Sequence, residues 1–432
     1  MNYAITSTKT QAQLHKFLGI FSPHFSKPKQ RFLGQMLYGI QAAQDVKLSC
    51  IGRALEEDIS MKKLEDRLSR NLADEDIEPR VRECIVRESA RHVSKESFIV
   101  VDPTDIRKFY AEKMEYLDRV RDGSRDELCK GYWGCLAVAA EAGSRRITPL
   151  DMSLWSCHSP EFRSENEQIL ELVKAVAGSA KGRGTFVIDR GGDRPALFHH
   201  FIDNKLGFVI RLVGNRNLLL KDKRLKSKYK KILAETLANS CRMLHTEVVE
   251  RESSKGLNRC ELSFGAVDVR LPKRPDAPLR MVVVKGFGKE PMMLLTTLAP
   301  TTSRESLWRV VEGYLSRWRV EDTLRYIKQC YHLEDLRVLT YQRMKNMIAL
   351  LLASVYFAST WLGSRQRMEV LTSHITHAAK RIYGVVEFFY YALADGIARI
   401  FSKGTRWKDA PGKSQNDSNA DGSTQMCFDF DG

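Results

Sequence analysis

Two short apolar runs constrain the fold of this chain more than any other feature. Residues 97–102 read SFIVVD and residues 184–189 read GTFVID. Both runs are short and rich in β-branched residues, which indicates strands that are buried on both faces. An acid follows each run, Asp102 in the first and Asp189 in the second. An acid just past a buried strand lies at the rim of a sheet, where it faces a cleft or simply caps a turn.

The segments after these runs alternate between strand and helix patterns. Residues 131–155 indicate two strands with a turn at 142–144, and residues 165–178 have the spacing of an amphipathic helix. Residues 197–214 read as a helix and then a strand, and residues 243–300 read as strands punctuated by Gly, Pro and Lys. This mixture predicts an α/β fold.

Helical patterns flank the α/β part. Residues 1–95 have short amphipathic helices with interleaved Lys and Arg, which fits either a DNA-binding bundle or an ordinary bundle with a solvated basic face. Residues 301–403 are again helical, and the apolar run 347–362 is short for a membrane span and indicates a buried helix. The polar tail, residues 404–432, is predicted to be disordered.

The charge of the chain favours a polyanionic partner. Its 432 residues carry a net charge of +16 and a pI of about 9.4, which suits nucleic acid or, more simply, a basic surface. The densest positive run is KDKRLKSKYKK at 221–231. A solvated loop is one interpretation of this run, and phosphate contact is the other. Its candidate DNA contacts are Lys223, Arg224, Lys226 and Lys228.

The cysteines and the N-terminus favour a cytoplasmic protein. Nine cysteines are scattered without a CxxC motif, which argues for reduced thiols and against a zinc site or a disulfide framework. The opening MNYAITSTKTQAQ lacks the apolar core of a signal peptide.

The two acids suggest metal-ion chemistry. Mg²⁺ prefers oxygen ligands, and two such ions about 3.5–4 Å apart can promote phosphodiester displacement. Three carboxylates from distant parts of the chain suffice to hold them, so a third acid is expected on a later helix. Asp105 is an alternative to Asp102, but Asp102 is favoured because Asp105 has left the strand end. Asp193 is more simply a helix N-cap.

A candidate for the third acid lies in YLSRWRVEDTLRYIK, residues 314–328. On one α-helix, offsets of 3, 7 and 14 residues fall at about 300°, 340° and 320°. One helix face then carries a phenol, two cations and an acid, namely Tyr314, Arg317, Lys328 and Glu321. An Arg–Glu pair alone would be ordinary surface stabilisation.

The spacing Y-x2-R-x3-E-x6-K resembles the YREK signature of cut-and-paste DDE transposases of bacterial insertion sequences. VVDPTDI and VIDRGGD are similar to the first-acid and second-acid segments of that family, and the resemblance covers about residues 95–360. It implies a ribonuclease-H-like catalytic core whose first part spans 96–215, with a β-rich insertion at 216–300 and helical N-terminal and C-terminal regions. It also implies that two Mg²⁺ ions, for which Mn²⁺ would substitute, are bound by Asp102, Asp189 and Glu321.

DNA contacts are a further implication of the resemblance. The residues implied to contact DNA near the transferred end are Tyr314, Arg317, Trp318, Lys328 and Arg190. Some relatives have a tryptophan in the strand before the YREK helix that stacks on a flipped base. This chain has Met292 and Met293 there, which puts a hairpin intermediate with aromatic base capture in doubt.

The expected function is that of a DNA transposase. It would bind terminal inverted repeats, cleave the element ends with Mg²⁺ and join the 3′-hydroxyls to target DNA by transesterification. The expected partners are double-stranded DNA and a second copy in a paired-end dimer, without a membrane, in the bacterial cytoplasm at the nucleoid. A non-catalytic DNA-binding regulator and a metal-dependent nuclease of the same fold are the alternatives.

The tail contains QMCFDF at 425–430. This stretch resembles short glutamine-plus-hydrophobic peptides that dock on the bacterial sliding clamp, and a random tail sequence is the alternative.

Overall fold

A computed structural model describes residues 2–122, 127–142, 147–221, 229–253, 256–363, 367, 369–372 and 390–408. The predicted contacts Lys223, Arg224, Lys226 and Lys228 and the 425–430 segment lie outside these residues. The described chain is a mixed α/β structure, with one large sheet and helices packed against it.

The described part of the sheet has twelve strands. They are β1 (Phe98–Arg107), β2 (Asp118–Asp122), β3 (Glu127–Ala140), β4 (Ile147–Trp155), β5 (Thr185–Ile188), β6 (Gly207–Arg211), β7 (Asn217–Lys221), β8 (Tyr229–Leu233), β9 (His245–Ser253), β10 (Gly256–Leu271), β11 (Arg274–Lys285) and β12 (Met292–Thr296). Their order is β2-β3-β1-β5-β6-β12-β11-β10-β7-β8, with β4 also on β3 and β9 also on β10.

Twelve α-helices lie in the described residues. They are α1 (Tyr3–Leu18), α2 (Lys27–Ala43), α3 (Leu48–Leu55), α4 (Met61–Asn71), α5 (Ile77–Ser89), α6 (Glu165–Ser179), α7 (Pro195–Asp203), α8 (Ala234–Ser240), α9 (Arg304–Leu315), α10 (Trp318–Cys330), α11 (Tyr341–Tyr356) and α12 (Tyr390–Lys403). The predicted strands at 131–155, the helix at 165–178 and the helix and strand at 197–214 are confirmed.

Strand β1 is buried on both faces, as its apolar run predicts. Phe98 and Val100 belong to the core that includes residues of α9, α10 and α11. Ile99 and Val101 belong to a second core with residues of α6 and α7. Because side chains alternate along a strand, Asp102 follows Val100 on the side of α9 and α10.

The prediction that Asp102 comes just after a strand is wrong, although the same prediction for Asp189 is confirmed. β5 ends at Ile188, whereas β1 continues to Arg107. The reason is the antiparallel partner β3, which pairs with β1 along its whole length and places Leu136 beside Asp102. On its other edge, the pairing of β1 with β5 reaches only Val100.

The strands predicted for 243–300 are confirmed as β9 to β12, and β7 and β8 precede them. β12 pairs with β6, and β11 and β10 follow in order, so these strands extend the same sheet.

The N-terminal helices are fixed to the rest of the protein by a buried ion pair. Arg82 of α5 donates from Nε and Nη2 to the two carboxylate oxygens of Asp151 in β4, at 2.6 and 2.7 Å. The Asp151 side chain is fully buried, and Glu78 lies 3.5 Å from Arg82. Asn346 of α11 also donates to the carbonyls of Leu72 and Asp74, both at 2.7 Å.

The apolar run at 347–362 forms most of α11 and the turn after it, and almost all of its side chains are buried, as predicted. Among the described residues, no helix combines the length and apolar character that a membrane span requires.

The start of the predicted tail packs against the N-terminus. The ring of Trp407 stacks on His15 with centroids 4.5 Å apart, and Gln11 Nε2 donates to the carbonyl of Thr405 at 2.7 Å. Residues 409–432 lie outside the described residues.

We expect Asp151→Asn to lower the free energy of unfolding by about 3–5 kcal/mol, because it leaves a buried guanidinium without its charged partner. Urea unfolding measures this loss. Glu167→Gln is the control, since it breaks an exposed i,i+4 pair with Arg163 and should leave stability within error of wild type. Equal effects of the two substitutions would contradict the structural role of the buried pair.

Candidate active site

Two of the predicted acids lie at the same level on neighbouring strands of the sheet. β1 and β5 run parallel with Val100 beside Val187, so two residues further along each chain Asp102 and Asp189 reach the same level. Adjacent strands are about 4.8 Å apart. The Asp189 carboxylate accepts a hydrogen bond from the Gly191 amide at 2.7 Å, which fixes the turn after β5.

The helix predicted for 314–328 is interrupted, so the prediction of one continuous helix is wrong. α9 ends at Leu315 and α10 begins at Trp318. Between them the amide of Arg317 bonds to the carbonyl of Tyr314 at 3.1 Å, a tighter turn than an α-helix makes. The Ser316 hydroxyl also donates to the Gly313 carbonyl at 2.6 Å, and such back-bonding commonly bends helices.

The interruption places Arg317 at the N-cap of α10, between two of the predicted acids. Its Nη1 lies 2.5 Å from Oε1 of Glu321 and 4.0 Å from Oδ2 of Asp102. The Arg317 and Asp102 side chains are only 14% and 15% exposed, whereas Glu321 is 42% exposed. Among the described atoms, Arg317 Nε is buried without a hydrogen-bond partner. A buried donor of this kind is costly unless a further acceptor arrives.

The electrostatics of Asp102 reflect this crowding. Burial, together with the negative charges of Asp189 and Glu321, raises the pKa of Asp102 to about 7 against the opposing effect of Arg317. Burial lowers the pKa of Arg317, but Glu321, Tyr314 and Asp102 together outweigh this effect, so that the pKa lies above the usual value for arginine. The three predicted acids therefore interact electrostatically, and one guanidinium offsets their repulsion.

Asp102, Asp189 and Glu321 carry the type of ligand atom that binds a divalent cation. Their side chains are not, however, arranged around a common point. Carboxylate oxygens are the ligands that Mg²⁺ prefers. Within the described residues, however, no three His, Cys, Asp or Glu side chains are grouped closely enough to hold a metal ion. The carboxylate of Glu321 is engaged by Arg317 instead. To join Asp102 and Asp189 as a ligand, Glu321 would have to release this guanidinium.

The other predicted DNA contacts differ in exposure. Tyr314 is buried, with its ring 6.0 Å below the Arg317 guanidinium, so the structure makes it a support for Arg317. Trp318 is exposed, and its ring meets the edge of Phe287 at 6.1 Å. Arg190 is half exposed and lies 3.7 Å from Glu290.

Lys328 lies at the far end of the same helix, in contact with two acids. Its Nζ is 3.6 Å from Asp105 and 3.5 Å from Glu334. Asp105, the alternative first acid, therefore contacts Lys328.

The family model of the transposase DDE domain matches residues 93–357, which is more than half of the chain. The chain belongs to this family. Among solved structures it is similar to a piggyBac transposase in a synaptic complex with hairpin DNA, with 13% sequence identity and a TM-score of 0.41 over 94% of this chain and 84% of that one. Among curated proteins, none is similar enough in sequence to match.

The sequence did not predict the contacts of several residues near the acids. Asp193 is not the N-cap of α7, because its buried carboxylate accepts hydrogen bonds from Arg216 Nε at 2.6 Å and from the Val213 amide at 2.8 Å. Glu334 and Phe287 were also missed. Neither belongs to a spacing pattern, since their partners lie far away along the chain.

Met292 and Met293, which stand where some relatives have tryptophan, are both buried in β12. Their side chains are therefore part of the core on either face of the sheet.

The raised pKa of Asp102 makes the stability of the metal-free transposase depend on pH. The carboxyl is favoured as neutral in the folded state, with a pKa of about 7 against 3.8 as the ordinary value, so its stabilising effect is lost as pH rises through this interval. Asp102→Asn mimics the neutral form. In EDTA, we expect the variant and the wild type to differ little below pH 4 and the variant to be more stable by up to about 4 kcal/mol above pH 7. Urea unfolding across this range measures the difference, and a difference that is independent of pH would contradict the prediction.

Proposed function

We propose that this transposase belongs to the cut-and-paste group with the YREK signature of bacterial insertion sequences. It would cleave the ends of its element and join the 3′-hydroxyls to target DNA by transesterification. One observation carries this proposal: Arg317 lies between Asp102 and Glu321, and Asp189 is level with Asp102 in the sheet. Asp102 is thereby brought within electrostatic range of Asp189 and Glu321, which are distant from it in the chain.

The acids are the proposed metal ligands, and their chemistry supports this role. Asp102 is held in a strand, Asp189 by a turn, and Glu321 on a helix, so three separate elements position them. When bound, two Mg²⁺ or Mn²⁺ ions would activate the attacking oxygen and stabilise the leaving oxygen of the phosphodiester. The raised pKa of Asp102 is the cost of burying this carboxyl and of placing Asp189 and Glu321 near it, and a divalent cation would relieve it.

Arg317 is the proposed contact for the phosphate next to the cut. Its Nε is a buried donor without a partner among the described atoms, which a phosphate oxygen would satisfy. Movement of the guanidinium toward a phosphate would also free Glu321 for the metal. Tyr314 would act by supporting Arg317, and Trp318, Lys328 and Arg190 remain proposed DNA contacts.

The proposed core is ribonuclease-H-like. It would consist of the antiparallel strands β4, β3 and β1 followed by the parallel strands β5 and β6, with β7 to β12 as the β-rich insertion. The net charge of +16 supports double-stranded DNA as the partner, including terminal inverted repeats and target DNA. A paired-end dimer, a cytoplasmic location at the nucleoid and a sliding-clamp contact through 425–430 are further parts of the proposal.

The acids are tested by Asp102→Asn, Asp189→Asn and Glu321→Gln in a Mg²⁺-dependent nicking assay on a terminal-repeat duplex. We expect each substitution to lower cleavage by roughly 10²–10³-fold or more and to leave end binding intact, because each removes a ligand charge without changing shape. Asp203→Asn, at the exposed end of α7, is the matched control and should cleave normally. Cleavage by Glu321→Gln at the wild-type rate would refute the assignment of the third acid.

The addition of a plasmid target to this assay separates the alternative functions. A joined product with a plasmid target is expected for a transposase. Cleavage without joining would indicate a nuclease, and binding without cleavage would indicate a DNA-binding regulator.

A further inference from the structure

A group of charged side chains lies beyond the acids, at the end of β1. We call Asp105, Arg107, Lys108, Lys328 and Glu334 the Glu334 cluster. Glu334 is its centre: Arg107 donates to it from Nε at 3.0 Å and from Nη2 at 2.7 Å, and Lys328 Nζ lies 3.5 Å away. The side chains of Asp105, Lys328 and Glu334 are all less than a fifth exposed.

The backbone around Glu334 is fixed by a buried lysine. Lys108 is 3% exposed, and its Nζ donates to the carbonyls of Leu333 and Glu334, both at 2.9 Å, and of Leu336 at 3.2 Å. All three ammonium protons thus have an acceptor in one short segment. Glu334 is therefore held twice, through its carboxylate by Arg107 and through its carbonyl by Lys108. A group fixed in this way can orient a flexible neighbour.

Lys328 is the flexible neighbour. It lies seven residues after Glu321 on α10, about 10 Å along the same helix. Lysine has a long side chain with many rotamers, so its ammonium is well placed only if other groups restrict it. Asp105 and Glu334 restrict it from two sides, at 3.6 and 3.5 Å. Both distances are those of ion pairs and are longer than typical hydrogen bonds, so the Lys328 ammonium retains donors for a ligand.

Apart from Lys108, whose ammonium is bound by backbone carbonyls, the charges of the cluster also balance. Arg107 and Lys328 contribute two positive charges, and Asp105 and Glu334 contribute two negative charges. The loss of the Glu334 charge would leave two cations beside one acid, and Lys328 would then lose one of its two anchors.

We propose that Glu334 is a positioning residue that holds the Lys328 ammonium in place for a DNA phosphate during cleavage. This rests on the proposed function, because it takes Lys328 as a DNA contact. Glu334 itself contacts no substrate and acts through Lys328. A purely structural role, in which Glu334 only ties Arg107 to the segment after α10, is the competing explanation.

A double-mutant cycle distinguishes the two roles. Glu334→Gln and Lys328→Met are made singly and together, and single-turnover cleavage of a terminal-repeat duplex is measured with end-binding affinity. We expect each single substitution to lower the cleavage rate by about 10–100-fold, since misplacing a group by about 1 Å has effects of this size. Binding affinity should change little. The double variant should cleave as slowly as Lys328→Met alone, because Glu334 has no further effect once Lys328 is gone.

Other outcomes would overturn the proposal. Effects that multiply in the double variant would show that Glu334 acts independently of Lys328, and a wild-type rate for Glu334→Gln would show that it does not act. If the wild-type chain does not cleave, the proposed function fails and removes this inference with it. If the wild-type chain cleaves but the effects of the two substitutions multiply in the double variant, the proposed function stands and Glu334 has no positioning role.

Two further variants serve as controls for this experiment. Glu334→Asp keeps the charge with a shorter reach, so we expect an intermediate cleavage rate, and it replaces Glu334→Gln in the cycle if that variant does not fold. Glu161→Gln breaks a comparable pair with Lys345, at 2.9 Å and away from the acids, and should cleave as wild type. Thermal unfolding of each variant shows whether it is folded.

Discussion

The two edges of β1 carry partners of opposite direction and unequal length, and the site depends on this arrangement. β3 pairs with β1 through Arg107, whereas the parallel pairing with β5 reaches only Val100. β1 therefore extends past the point where its pairing with β5 stops. Asp102 lies in the opening that results, supported by β3 on one side and level with Asp189 on the other. The same extension carries β1 on to Arg107, so one strand connects the acids with the Glu334 cluster.

Acidic and basic side chains alternate from the acids to the Glu334 cluster. Asp102 and Glu321 are bridged by Arg317, and Asp105 and Glu334 are bridged by Lys328 and Arg107. Each carboxylate has a cation beside it, which limits the repulsion that close acids would otherwise cause in a buried site. These ion pairs hold the acidic side chains close together. The same cations are the groups that a phosphate would attract, so substrate binding would redistribute pairs that already exist.

The sequence predicted many of the strands and helices, but it did not predict the contacts between them. The apolar runs predicted β1 and β5, and the YREK spacing singled out Arg317 and Glu321, which form an ion pair. The continuous helix was wrong because the Ser316 hydroxyl bonds to Gly313, an effect of one side chain that periodicity does not contain. The prediction that Asp193 is a helix N-cap was wrong because its partner, Arg216, lies 23 residues away. Glu334 was missed for the same reason, since Arg107 lies 227 residues before it. Long-range ion pairs have no local signal.

The contact between Trp407 and α1 brings the chain back to its beginning. Besides His15, the Trp407 ring lies near Tyr38 of α2 at 5.2 Å, and Thr405 bonds to Ser7 and Gln11. Residue 408 and the first helix therefore share one corner of the molecule. A truncation before Trp407 would expose apolar surface on α1 and α2. A chain that keeps residues through Lys408 would therefore retain this contact.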